Sequence, residues 1–134
     1  MPPEPKEVPE FHLERARAEL GAARILIAQE HPMSIAGFHL EQTVEHSLCA
    51  IVAFRTDENP DRLDLRALLN RVGALDLELP ETVASAEWLA PWAVDFRYEE
   101  ESSDLDVDRA LEAATAAVGL AEHVLDEDNT DPAA

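Results

Sequence analysis

The amino-acid sequence predicts an all-α protein, an up-and-down bundle of about five helices, four of them long and one short. Two segments, residues 13–27 and 107–125, carry apolar side chains at alternating spacings of three and four residues, which is the pattern of a helix packed in a bundle. A third segment, residues 34–55, has an apolar face spaced by four, four and three residues. The one segment that alternates like a β-strand, residues 75–79, has no second strand to pair with.

The first predicted helix covers residues 11–30 and ends before Pro32, because a residue that precedes proline is forced out of the helical region. Gly21 inside this helix is less favourable than alanine by up to about 1 kcal/mol, so we expect a close crossing with a neighbouring helix there. The second helix is predicted to start at Ser34, a typical N-cap residue, and to stop near Arg55. It is the predicted central helix of the bundle.

The central helix has two faces of different character. Its apolar arc must be buried, and it consists of Leu40, Val44, Leu48 and Ile51. The opposite arc carries His39, Gln42, Glu45, His46 and Cys49. Two interpretations remain open from this pattern: a core helix that carries a site, or a half-exposed helix whose polar face meets solvent.

A short third helix follows a turn rich in helix-breaking residues. Asp61 or Asp64 is its predicted N-cap, and Gly73 is its predicted end. Residues 75–79 then form an extended connector whose leucines hold it against the bundle.

A fourth helix is predicted to begin at Pro80, and Pro91 removes a backbone donor, so we expect a kink or break near residues 89–91. Ser103 and Asp106 have the spacing of a capping box that opens the last helix. The segment between Pro80 and the last helix carries three aromatic residues at four-residue spacing, Trp88, Trp92 and Phe96. Their neighbours are acidic, whereas a platform that stacks nucleic-acid bases would need basic neighbours. We therefore expect these residues to pack in the core or in a dimer interface.

Length and charge limit the possible functions. The chain has 134 residues, enough for one domain with its own core. It carries 29 Asp and Glu against 10 Lys and Arg, a net charge of −19, and such a surface repels phosphate backbones. Tight unassisted binding of nucleic acid is therefore not expected. A salt-adapted host, a GC-rich genome and a surface for a basic partner all agree with this composition.

The ends of the chain and its single cysteine bear on compartment and domain organisation. Cys49 has no second cysteine to pair with. No stretch reaches the roughly 18 apolar residues of a membrane span, and the first residues lack a signal-peptide pattern. We expect a soluble cytoplasmic protein. Residues 1–10, which hold four prolines, predict a disordered arm, residues 11–127 the helical domain, and residues 128–134 an acidic tail.

Three segments, in order, resemble those of HEPN-domain proteins. Residues 38–50, FHLEQTVEHSLCA, resemble the second-helix signature of the family, in which a Gln (here Gln42) and a Glu three residues later (Glu45) precede a Leu-x-Ala pattern. Residues 60–69 are similar to the segment that opens the third helix of the family. Residues 96–98, Phe-Arg-Tyr, resemble the Arg-Tyr motif ahead of its last helix.

The resemblance implies a HEPN-like bundle, a homodimer, and a function in binding. The implied partner is a nucleotide or a small nucleotidyltransferase protein, as in toxin–antitoxin pairs. The alternative is a homodimeric interaction scaffold without a small ligand, and the third possibility is a degenerate ribonuclease.

The ribonuclease branch of the family is characterised by an Arg that is followed by a His, with four to six residues between the two, ahead of or on the last helix. This sequence has that spacing once, from Arg24 to His31, on the wrong helix. Arg97, near the matching position, is followed by acidic residues and by no His before His123. The sequence therefore predicts a non-catalytic member with no cofactor.

The candidate ligand-groove residues are Gln42, Glu45, His46, Arg97 and Tyr98. The alternative interpretation is a structural ion pair between Glu45 and Arg97 with Tyr98 packed beside it. Family members often carry Lys where this chain has His46 and Cys49, which removes fixed positive charge, although His46 would regain charge below its ordinary pKa of about 6.5.

Metal binding is not predicted. His39, His46 and Cys49 share one helix face, but they extend over about 15 Å, too far for one ion.

Overall fold

A computed structural model describes residues 8–29, 33–60, 63–93 and 105–127 of the chain. These residues form five α-helices and one 3₁₀-helix, which we call η1. In chain order they are α1 (Val8–Ala28), α2 (Met33–Thr56), α3 (Leu65–Gly73), α4 (Glu81–Ala84), η1 (Ala86–Ala93) and α5 (Val107–Asp126). The described part of the chain contains no β-strand, and the predicted all-α bundle is confirmed.

Helix α2 lies at the centre of the bundle. It packs against α1, α5, α3 and η1, and every residue from 33 to 54 is buried or half-buried. Its predicted apolar arc is fully buried, with no exposed surface on Leu40, Val44, Leu48 or Ile51. The apolar arc of α2 is therefore part of the core, while its polar arc is mostly half-buried, and a site on that polar arc stays a prediction.

Helices α1 and α5 pack on α2. The predicted seam of α1 is largely buried, whereas half of the predicted α5 seam is only half-buried, namely Val107, Leu111 and Leu125. On α1 the buried apolar residues include Leu13, Ala16, Leu20 and Ala23. On α5 small side chains allow a close approach, and those that are buried are Ala110, Ala113, Ala114, Ala117 and Ala121. None of the described helices has the length and apolar character that crossing a membrane requires.

The start of α1 differs from the sequence-based domain boundary. The helix begins at Val8, so residues 8–10, which the sequence assigned to a disordered arm, are helical. Val8 is only 7% exposed, and Pro9 lies in the first turn, where a backbone N–H has no partner within the helix.

Aspartates cap α3 and α5. The Asp64 side chain accepts a 2.9 Å hydrogen bond from the Ala67 backbone N–H, which selects Asp64 from the two predicted caps. The Asp106 side chain accepts from the Arg109 N–H at 3.1 Å, and α5 begins directly after Asp106. The predicted capping box is therefore wrong about the start of α5, because Asp106 is itself the N-cap; Ser103 lies outside the described residues.

The break in the fourth helix lies earlier than predicted. The α-helical turn ends at Ser85, whose hydroxyl donates to the Glu81 carbonyl at 2.8 Å. The chain then continues as η1, and Pro91 sits inside this 3₁₀-helix. An α-helix through residue 91 would place the proline ring against the carbonyl of Glu87, so the change of helix type occurs before Pro91 rather than at it. The connector before α4 is extended, and Leu75, Leu77 and Leu79 pack against the core as predicted.

The close helix contact predicted at Gly21 is absent there and present at Gly37. A Cβ atom added to Gly21 would meet no atom within 4 Å. A Cβ atom on Gly37 of α2 would lie 2.3 Å from Cδ1 of Trp92 in η1. The indole ring therefore occupies the space that any side chain at position 37 would need.

Candidate functional site

The predicted ligand face of α2 is a half-exposed strip of polar side chains that are hydrogen-bonded to one another. Gln42, Glu45 and His46 are each half-buried. The Gln42 side-chain NH₂ donates to Glu45 Oε2 at 3.3 Å and to Glu41 Oε1 at 2.8 Å. The fold thus joins two of the predicted residues, Gln42 and Glu45, and adds Glu41, which the sequence did not single out.

Glu41 is a fully buried carboxyl group on the central helix. It has no exposed surface, and its Oε2 atom has no hydrogen-bond partner. Burial, followed by the neighbouring Glu45 carboxyl group, raises the pKa of Glu41 from 4.5 to about 10. At neutral pH Glu41 is therefore a protonated, uncharged acid, and it can donate a hydrogen bond as well as accept one.

His46 lies at one edge of this strip and also contacts α1. Its Nδ1 lies 3.0 Å from Nδ1 of His12, and the two rings stack with centroids 5.3 Å apart. The second ring nitrogen of His12 lies 3.3 Å from Asn59 Oδ1. His12 is 2% exposed, so this histidine pair is part of the α1–α2 contact.

His46 does not supply positive charge near neutral pH. Burial, followed by the charges of His12 and Arg15, lowers the pKa of His46 from 6.5 to about 4, against the opposing effect of Glu19. The expectation that His46 would restore positive charge below a pKa of about 6.5 is wrong, because the sequence could not show its burial beside a second histidine.

A buried carboxylate on α1 completes the polar contacts between α1 and α2. Glu19 is 7% exposed. Its Oε2 lies 2.6 Å from Nδ1 of His39 on α2, and its Oε1 accepts from Nε of Arg15 at 3.2 Å. We call the whole set the α1–α2 polar network: His12, Arg15, Glu19, His39, Glu41, Gln42, Glu45, His46 and Asn59.

The described cationic residues of α1 and α5 have structural partners. Arg24 is exposed on α1 and donates to Thr115 Oγ1 of α5 at 3.4 Å; His31 lies outside the described residues. On α5 the Arg109 guanidinium lies 4.4 Å from the centroid of the Trp88 ring. Arg109 and His123 are fourteen residues apart, which is about 21 Å along the helix. Within the described residues, α5 does not present a neighbouring Arg and His.

The cysteine and the two tryptophans that the sequence analysis considered contact the protein itself. Cys49 Sγ lies 3.8 Å from the Pro60 carbonyl oxygen, and in the described ranges no group of three or more His, Cys, Asp or Glu is placed to hold a metal ion. Trp88 and Trp92 meet edge to face at 6.0 Å and pack against the core.

Arg97 and Tyr98, together with Phe96, lie outside the described residues. The predicted pairing of Glu45 with Arg97 therefore stays a prediction.

A groove of about 490 Å³ lies away from these candidates, between α1 and α5. Two leucines line it, Leu13 and Leu125, and its one cation, Arg17, is paired with Glu122 at 2.6 Å. The remaining lining residues are acidic: Glu10, Glu14 and Asp126. This charge disfavours phosphate-bearing ligands there.

Sequence reasoning missed His12, Glu19 and Glu41. His12 and Glu19 are seven residues apart, each directly before a seam leucine, Leu13 or Leu20, so they share the repeat of the buried face. Glu41 lies only about 20° around the helix from Leu48, just beyond the edge of the apolar arc. Their positions beside buried apolar residues could have identified these three residues from the sequence, because an ionisable side chain next to a buried seam is a candidate for a perturbed pKa.

Comparison with known proteins adds one match. A family model described as HEPN domain matches residues 9–127. No curated protein and no solved structure matches the chain.

Proposed function

The chain belongs to the HEPN domain family, and from this membership we propose that it is a non-catalytic HEPN protein that functions by binding a partner. The proposed partner is a small nucleotidyltransferase, as in toxin–antitoxin pairs. The proposed contact surface is the half-exposed face of α2 that contains Gln42, Glu45 and His46.

One observation carries this proposal: the polar face of α2 is arranged for recognition and carries little fixed charge. Gln42 is held by Glu41 and Glu45, and holding side chains in place lowers the entropy that binding must overcome. The low pKa of His46 leaves its ring neutral. Such a surface forms directed hydrogen bonds to a protein without the strong attraction that phosphate backbones require.

The absence of catalysis is supported by the positions of the Arg and His residues. In the sequence, the Arg-to-His spacing typical of the ribonuclease branch occurs only from Arg24 to His31, far from the segment that leads into α5. Arg24 contacts Thr115, and Arg109 stacks on Trp88. These interactions give both guanidinium groups a structural role.

A nucleotide is the second candidate ligand of the same face. The Gln42 Oε1 atom and the Nε2 atom of the neutral His46 ring suit the edge of a base, because the described contacts of these two side chains are made through their other polar atoms. In this alternative the phosphates would require Arg97, the candidate groove cation that precedes α5 in sequence.

The test is to search the neighbouring genes for a small nucleotidyltransferase, to co-express it with this protein, and to titrate the two purified proteins by calorimetry. We expect a complex, and we expect Gln42→Ala and His46→Ala to weaken it roughly tenfold each. Gln29→Ala is the matched control, since Gln29 is exposed at the end of α1. Circular dichroism melts establish that each variant is folded.

Two parallel assays separate the alternatives. ATP binding that weakens in Gln42→Ala, with no protein complex, would favour the nucleotide function. Binding of neither partner would leave the homodimeric scaffold. Metal-independent RNA cleavage that disappears in Arg24→Ala would contradict the non-catalytic assignment.

A further inference from the structure

Three buried hydrogen-bond donors near the beginning of α2 have no acceptor within the described residues. They are Ser34 Oγ, Trp88 Nε1 and Trp92 Nε1. Ser34 is only 2% exposed, and an indole N–H can donate but not accept. A buried donor without an acceptor is unfavourable, and a bound acceptor would remove that cost.

Packing brings two of these donors to the same side of α2. A Cβ atom at Gly37 would lie 2.8 Å from Nε1 of Trp92, so the indole N–H lies against the helix at that position. Ser34 is three residues earlier, and side-chain positions three residues apart on a helix are about 5–6 Å from each other. One anion with several oxygens can therefore accept from both groups, each at about 2.9 Å.

The first turn of α2 adds backbone donors. The helix has 24 residues and begins at Met33, and the first four N–H groups of a helix have no partner within it. The preceding residue in the sequence is Pro32, whose side chain has no acceptor atom that could cap them. These N–H groups and the helix dipole attract anions, which is why phosphate groups bind at helix N-termini.

A cation lies next to the two tryptophans. The Arg109 guanidinium is 4.4 Å from the centroid of the Trp88 ring, and Trp88 meets Trp92 at 6.0 Å. Arg109 takes part in no ion pair within the described ranges. A guanidinium that stacks on an aromatic ring keeps its in-plane N–H groups available, so Arg109 can still donate to an anion.

We propose that the N-terminal end of α2, together with Trp88, Trp92 and Arg109, is a binding site for a phosphate group. Each of these groups donates hydrogen bonds, and a phosphate offers several acceptor oxygens and a charge of about −2. The chain's net charge of −19 opposes binding at long range, so we expect a dissociation constant of about 1 mM. The site lies about 12 Å along α2 from Gln42 and does not depend on the proposed function.

The indole N–H groups report directly on this site. The chain has two tryptophans, so its proton–nitrogen NMR spectrum contains two indole N–H signals, which a Trp88→Phe variant assigns. Inorganic phosphate, added from about 0.1 to about 50 mM at constant ionic strength, should shift the Trp92 signal downfield and saturate. Sodium chloride and sodium acetate should shift it much less, because their anions offer fewer oxygens and less charge.

AMP and adenosine identify the source of the phosphate group. A dissociation constant for AMP at least tenfold below that for phosphate, with no effect of adenosine, would support the site and identify a nucleotide as its ligand. Equal dissociation constants for AMP and phosphate would support a site that recognises the phosphate group alone.

Variants test the residues. Ser34→Ala and Arg109→Gln should each raise the dissociation constant for phosphate roughly threefold to tenfold. Ser47→Ala is the matched control, because Ser47 is a buried serine of the same helix whose hydroxyl already donates to the Thr43 carbonyl at 2.8 Å. It should leave phosphate binding unchanged, and so should Gln42→Ala, which alters the proposed partner-binding face.

Thermal melts separate lost binding from lost folding. Phosphate should raise the melting temperature of the wild type, because it binds the folded state. Ser34→Ala should melt at the wild-type temperature without phosphate, since the hydroxyl has no described partner, and it should lack most of the phosphate-dependent rise. Any of three results would overturn the proposal: no saturable shift up to about 50 mM phosphate, equal shifts with chloride or acetate, or wild-type affinity in both Ser34→Ala and Arg109→Gln.

Discussion

At the residue scale, burial changes the charge of two side chains of α2 in opposite directions. Glu41 is neutral because its pKa rises to about 10, and His46 is neutral because its pKa falls to about 4. Both shifts have burial as their largest cause. The central helix therefore presents a polar network with fewer charges than its sequence contains.

These two shifts have opposite effects on stability as the pH changes. The folded-state pKa of Glu41 lies above its ordinary value of 4.5, so its contribution to stability is complete below pH 4.5 and is lost as the pH rises toward 10. The folded-state pKa of His46 lies below its ordinary value of 6.5, so its contribution is present above pH 6.5 and is lost as the pH falls toward 4.

We predict that Glu41→Gln raises the free energy of unfolding by about 3 kcal/mol at pH 7, because glutamine does not ionise in the unfolded chain. The gain should shrink toward pH 4.5 and grow toward pH 9, as measured by urea unfolding. Glu14→Gln is the control, because Glu14 is an exposed carboxylate on α1. This substitution should change stability by only a few tenths of a kcal/mol. Parallel pH profiles for the wild type and Glu41→Gln would contradict the assigned pKa.

At the scale of elements, the contact between α2 and η1 depends on one glycine. Gly37 lets the Trp92 ring lie directly on the α2 backbone. Trp92 in turn meets Trp88, and the Arg109 guanidinium of α5 covers the Trp88 ring. One small residue thus supports a set of contacts that joins three elements around the core.

We predict that Gly37→Ala lowers the free energy of unfolding by roughly 1 to 3 kcal/mol, because the added methyl group overlaps the rigid indole. Gly21→Ala should raise it by up to about 1 kcal/mol, since this helical position has free space. Chemical denaturation of the two variants makes the comparison. Equal changes of the same sign would show that the Trp92 ring does not require Gly37.

At the scale of the whole molecule, electrostatic repulsion opposes the folded state. Surface ion pairs do link the elements: Arg17 of α1 pairs with Glu122 of α5, and Arg66 of α3 pairs with Glu87 of η1. However, 29 acidic residues against 10 Lys and Arg leave an excess of 19 negative charges. Exposed pairs contribute at most about 1 kcal/mol each, so we expect the excess negative charge to lower stability at low salt.

We predict that the melting temperature rises as NaCl increases from low to molar concentration, because the Debye length falls from about 10 Å at 0.1 M to about 3 Å at 1 M. Glu112→Lys, which reverses an exposed charge on α5, should stabilise the protein at low salt, and this difference should vanish at high salt. A melting temperature that is flat or falling with salt would show that repulsion does not limit stability, and it would count against a salt-adapted host.

The sequence by itself determined the helical bundle, the buried arc of α2 and the family. These follow from apolar periodicity and short motifs, which are local properties of the chain. The Asp64 cap of α3 was one of two predicted candidates, because N-cap chemistry is also local. The end of α2 was predicted within one residue, but the predicted N-cap Ser34 lies inside the helix, which begins at Met33, and its hydroxyl has no hydrogen-bond partner within the described residues.

Only the tertiary structure decided the chemistry of the polar face. The His12–His46 contact joins residues 34 positions apart, and the space at Gly37 is filled from η1. The neutral state of Glu41 depends on how completely its neighbours exclude water. A helical pattern shows which residues share a face, but the burial and charge of each side chain depend on distant elements that pack against it, and periodicity does not record those contacts.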